Sequence, residues 1–144
     1  MRYWHVTLSS VGRINLFPER RHRLAVARAI VRFDAAVLFH CAVDDHLHVV
    51  LEASRADAGR LGGILHRALK REDRPLQPTH LTPVESRRHL QTLVGYILRQ
   101  SSKHGLAGHP AVGEGSCFPD LTGARVLPGR LAALDQALPR LQPR

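Results

Sequence analysis

Residues 35–52 read AAVLFHCAVDDHLHVVLE. From Ala35 to Val43 the run is apolar apart from His40, and it is far too short to cross a bilayer, so it reads as a buried strand. Asp44-Asp45 supplies a turn. The following segment, residues 46–52, alternates: His46 and His48 point to one side of a strand, while Leu47, Val49 and Leu51 point to the other. Two strands joined by two polar residues make a hairpin, and one strand of this hairpin presents two imidazoles on a single face.

On the N-terminal side, residues 3–9 repeat the alternation, with Trp4, Val6 and Leu8 opposed to Tyr3, His5 and Thr7. Residues 12–18 read as a loop. Residues 19–33 place Leu24, Ala27, Ile30 and Val31 at helical spacing, with Arg20, Arg21, Arg23, Arg28 and Arg32 mostly elsewhere on the cylinder, which predicts an amphipathic helix with an Arg-rich outer surface. On the C-terminal side, residues 57–72 carry Leu61, Ile64, Leu65, Ala68 and Leu69 at helical spacing. The pair Gly62-Gly63 inside that helix costs about 1 kcal/mol per glycine and marks a kink or a close approach.

Pro75 and Pro78 confine any strand over residues 74–81 to a sheet edge. Thr82, Pro83 and Glu85 then form a capping-box signal that predicts a helix start, and that helix is expected to reach about His104, with Gly105 as its C′ residue. The resulting order of strands and helices predicts an α+β fold, a small antiparallel sheet with helices on one face.

The whole chain has 144 residues, 44% hydrophobic and 23% charged, which suits one globular domain and excludes disordered and collagen-like classes. Its 21 Lys and Arg against 12 Asp and Glu give a net charge of +9. Such a balance favours a polyanionic partner, although Lys70 and Lys103 are the only lysines and Arg-rich composition also follows from codon bias. Cys41 and Cys117 stand apart from any CxxC pair or zinc-ligand set, and no apolar run nears the roughly 20 residues of a membrane span. The expectation is a cytoplasmic protein with no membrane contact.

Two segments carry chemistry. His46 and His48 form a two-ligand half-site for a cation. In the helix that follows Pro83, the apolar stripe of Leu90, Leu93, Val94 and Ile97 leaves Tyr96, Gln100 and Lys103 stacked on a different face. A histidine-hydrophobic-histidine strand followed by a tyrosine-bearing helix resembles the HUH endonuclease superfamily. More narrowly, it is similar to the REP-associated group of single-tyrosine transposases. The opening Tyr3-Trp4-His5-Val6-Thr7-Leu8, the strand Asp45-His46-Leu47-His48 and the helix segment Tyr96-Ile97-Leu98-Arg99-Gln100, leading into Lys103-His104-Gly105-Leu106, carry the resemblance over residues 1–110. The sequence departs from it at Gln100-Ser101-Ser102, where members of the group usually have Asn-Pro.

The resemblance implies a ferredoxin-like HUH endonuclease domain over residues 1–110, followed by a tail, residues 111–144, with room for a short helix over 130–138. It implies that His46, His48 and Gln100 hold Mg²⁺ or Mn²⁺ and that Tyr96 is the nucleophile, forming a 5′-phosphotyrosine link in single-stranded DNA that bears a hairpin. The cation polarises the phosphate, and a phenol with an ordinary pKa of about 10 needs it, or a nearby Arg99 or Lys103, to favour the phenolate. Arg20, Arg21, Arg28, Arg67, Lys70, Arg71, Arg99 and Lys103 are candidate phosphate contacts. Monomeric and homodimeric forms both occur among such enzymes, the tyrosine acting in trans in some. The competing expectation is a noncatalytic DNA- or RNA-binding module that uses the +9 charge alone.

Overall fold

The computed structural model describes residues 2–103, with side chains through Ile97. The tail helix expected over residues 130–138, the cap at Gly105, and Cys117 lie outside the described residues. The order is β1 (Arg2–Ser9), a short 3-10 turn (Val11–Arg13), α1 (Arg20–Arg32), β2 (Ala36–Val43), β3 (His46–Ala53), α2 (Arg55–Leu69), β4 (His80–Val84) and α3 (Arg87–Lys103). The strands form one antiparallel sheet in the order β2-β3-β1-β4. The first six major elements thus follow the ferredoxin-like β-α-β-β-α-β plan.

Strand alternation divides the core in two. Trp4, Val6, Leu8, Leu47, Val49 and Leu51 face one side, where Val26 and Ile30 of α1 and Ala58, Leu61 and Leu65 of α2 cover them. Phe39, Cys41, Val43 and Val50 face the other, where Leu90, Leu93, Val94 and Ile97 of α3 cover them. Two helices therefore share one face as expected, whereas α3 occupies the opposite one. The reason lies in the central hairpin: β2 is apolar on both sides, so a sheet with helices on a single face would leave Phe39 and Cys41 in water.

Two local expectations are also corrected. Thr82 and Pro83 do not start a helix; they belong to β4, and Pro83 is accommodated because β4 is an edge strand paired only with β1. The cap of α3 is Ser86, whose Oγ accepts the His89 backbone N–H at 3.0 Å. In α1 the buried positions are Val26 and Ile30, while Val31 is 43% exposed, since its neighbour Ile30 takes the centre of the stripe and the next residue lies about 100° around the helix.

The paired glycines of α2 have different roles. A Cβ on Gly62 would lie 2.8 Å from Cγ2 of Thr79, so the helix approaches the segment before β4 more closely than any side chain allows. A Cβ on Gly63 would meet Nη1 of Arg67 at 3.5 Å, an ordinary contact. Gly63→Ala is therefore expected to stabilise the protein by roughly 0.5–1 kcal/mol through helix propensity. Gly62→Ala is expected to fall at least about 1 kcal/mol below it in urea unfolding, because β-branched Thr79 has to move.

Candidate active site on the α3 face of the sheet

The hairpin register places the two histidines. His48 pairs with Thr7 on β1 and Cys41 on β2, and His46 pairs with Ser9 and Val43, so both imidazoles stand on the α3 face. Their rings are parallel, 5.7 Å apart and inclined by 6°. Two backbone bonds brace the hairpin turn from the loop after β1, Ser10 N–H to Asp45 O at 2.9 Å and Leu16 N–H to Asp44 O at 2.7 Å. Leu16 and Phe17 anchor that loop in the core.

The turn carries a residue that strand spacing alone does not flag. Asp45 is buried, and its carboxylate lies 2.5 Å from Nδ1 of His46. On the neighbouring strand, Nε2 of His5 lies 3.1 Å from Nδ1 of His48, with the rings stacked at 5.3 Å. Thr7 Oγ1 approaches the same His5 nitrogen at 3.2 Å. Burial first, and then the nearby His80 and His89, pull the His5 imidazole down from 6.5 to about 4. Asp45 and His5 were detectable in principle, Asp45 as an acid adjoining the histidine pair and His5 as a third histidine on an alternating strand. The register that joins His5 to His48 is not written in either strand.

Tyr96 completes the arrangement. It sits one position before Ile97, a fully buried residue of the α3 stripe, so its ring emerges at the edge of the helix footprint. There it stands edge-on to His48, with ring centres 6.3 Å apart and planes at 85°, and it is 43% exposed. A phenol held beside the histidine pair and open to solvent is placed to meet a polymer lying across the sheet. Gln100, Arg99 and Lys103 fall within α3, but their side chains lie outside the description.

The donor set fits a divalent cation in part. With Nδ1 of His46 facing a carboxylate and Nδ1 of His48 facing His5, each ring would coordinate through Nε2, the arrangement usual for metal-binding histidines. Among the described residues, no three His, Cys, Asp or Glu side chains converge as a complete ligand set. A third ligand would thus come from another residue type or from beyond the described side chains. Mg²⁺ and Mn²⁺ accept mixed nitrogen and oxygen ligands and keep open positions for substrate oxygens.

The fold is shared with a tyrosine transposase. One similar solved structure is that of a REP-associated tyrosine transposase bound to a REP hairpin, with a TM-score of 0.62 and 17% sequence identity over 88% of this chain and 81% of that one. No protein-family model matches the sequence, and no curated protein does. At this identity the likeness concerns the α+β architecture, a small four-stranded antiparallel sheet with three helices.

The remaining basic candidates lie elsewhere. Arg20, Arg21 and Arg28 are exposed on α1, and Arg67, Lys70 and Arg71 are exposed on or just after α2, so the sheet separates both sets from His46, His48 and Tyr96. Arg21 is engaged by Glu19 at 3.0 Å, and Arg71 donates to the backbone oxygens of Ala68 and Lys70. Trp4 and Phe39 are core residues, whereas Tyr3 is partly exposed. No helix among the described residues is long and apolar enough to cross a membrane.

Proposed function

We propose that this chain is a single-strand DNA transesterase of the HUH tyrosine-transposase type, acting on DNA that bears a hairpin. The observation that carries the reading is the meeting of Tyr96 with His48 and His46 on one sheet face of one chain. The similar transposase was solved with a REP hairpin, which supports DNA as the partner. Tyr96 and His48 meet within one chain, so in this reading the tyrosine attacks in cis, whether the protein is a monomer or a homodimer.

In this reading His46, His48 and Gln100 would hold Mg²⁺ or Mn²⁺, which would supply positive charge to the reacting phosphate. Tyr96 Oη attacks phosphorus as its proton passes to solvent. The bond from phosphorus to the 3′-oxygen breaks, that oxygen takes up a proton, and the 5′ side stays joined to Tyr96. One phosphodiester is exchanged for another, so rejoining needs no external energy source.

The test incubates the protein with 3′-labelled single-stranded hairpin DNA and Mn²⁺ and follows a covalent adduct in denaturing gels, because the fragment that stays on Tyr96 carries the 3′ end. Wild type is expected to form it, and Tyr96→Phe, which keeps the ring against His48 and removes only the hydroxyl, is expected to reduce it at least about 1,000-fold. Tight, salt-dependent binding that forms no adduct and is indifferent to EDTA would instead establish the noncatalytic module, a reading favoured by the +9 charge alone.

A further inference from the structure

We infer that His5 is a positioning residue for His48, fixing the tautomer in which Nε2 of His48 serves as a metal ligand. The inference rests on the reading of His46 and His48 as ligands and deepens it. The contact joins two ring nitrogens, Nε2 of His5 and Nδ1 of His48, at 3.1 Å, so one of them carries the proton and the other accepts it. A ring that coordinates through Nε2 carries its proton on Nδ1. His48 therefore donates from Nδ1–H to Nε2 of His5, and His5 keeps its own proton on Nδ1. The opposite arrangement, with His5 donating, would put a proton on Nε2 of His48 and block it as a ligand.

Several features hold His5 in the accepting role. Thr7, two residues along β1 and on the same sheet face, brings a hydroxyl to 3.2 Å of the same Nε2, a contact compatible with an accepting Nε2 because a hydroxyl can donate. Pairing of His5 with Val50 and Thr82, and of Thr7 with His48 and His80, locks both residues into an inner strand that is hydrogen-bonded on both sides. The ring stacks on His48 at 5.3 Å, which restrains its χ2 rotation. His46 is served by a carboxylate and His48 by an imidazole, so the two ligands differ in basicity. The Asp45 carboxyl faces Nδ1 of His46 and the His5 ring faces Nδ1 of His48, so each ring has its own orienting partner.

The experiment titrates the full chain with Mn²⁺ alone, reading free Mn²⁺ by electron paramagnetic resonance, and records long-range ¹H–¹⁵N spectra of the histidine rings. Wild-type His48 is expected in the Nδ1–H tautomer. His5→Leu is expected to weaken Mn²⁺ binding about 10- to 100-fold and to mix the His48 tautomers, while His5→Gln, whose Oε1 accepts from Nδ1–H, restores most of the affinity. Circular dichroism checks the fold of each variant; if His5→Leu does not fold, the His5→Gln titration and the wild-type tautomer decide. Unchanged affinity in His5→Leu, or a wild-type Nε2–H tautomer, overturns the inference. His46→Ala, titrated in parallel, separates the two failures. If it binds Mn²⁺ as wild type does, the ligand reading itself falls; if it loses Mn²⁺ while His5→Leu keeps it, only the role of His5 falls.

Discussion

His48→Ala is expected to lose Mn²⁺ binding and adduct formation together, the latter by at least about 100-fold, because a bound metal supplies several kcal/mol to a developing phosphoryl transition state and each 1.36 kcal/mol is a factor of ten. The substitution removes more than a ligand. His48 is in contact with His46, His5 and Tyr96, so it is the ring to which the other three refer their positions. Tyr96→Phe provides the contrast: it should retain Mn²⁺ affinity within about twofold while losing the adduct, since phenylalanine keeps the edge-on ring contact and the phenol oxygen is the attacking atom. Calorimetric Mn²⁺ titration and denaturing gels on the same preparations separate ligand loss from nucleophile loss. Equal Mn²⁺ affinity in wild type and His48→Ala would refute the assignment of His48 as a ligand.

Ile97→Ala is expected to destabilise the protein by about 2–5 kcal/mol and to lower Tm on the order of 10 °C. Ile97 is fully buried on the α3 stripe, between the sheet residues of the second core and the helix that carries Tyr96. Deleting its branched end leaves a cavity that Phe39 and Val50 cannot fill, because both are fixed in the central strands. Equilibrium unfolding in urea gives the stability change. An effect smaller than about 1 kcal/mol would mean that α3 does not pack on the sheet through this residue.

Much of the fold is legible in the chain because its signals are local. The alternation of Trp4, Val6 and Leu8, the hairpin around Asp44-Asp45, and the helical spacing of Leu61, Leu65 and Leu69 all correspond to observed elements. The capping signal at Thr82-Pro83-Glu85 fails for a nonlocal reason: β1 offers residues 80–84 a partner strand, and pairing outweighs a cap worth about 1 kcal/mol. The placement of α3 was implied by the two-sided apolar character of β2, a clue that lies in a different element from the one it positions. For the candidate site, the histidine pair and Tyr96 follow from period-2 and helical spacing. The contact between His5 and His48 depends on how β1 and β3 are aligned, and a shift of one residue would turn His5 to the opposite side of the sheet.

In the β-α-β-β-α-β unit, α1 and α2 seal one side of the sheet, and the four strands are hydrogen-bonded before α3 begins. The helix bearing Tyr96 is an addition to that unit, attached along a single apolar stripe that covers Phe39, Cys41, Val43 and Val50. The packing that keeps these strand residues out of water is thus the same packing that holds Tyr96 beside His48, so loosening α3 costs the second core and the site together.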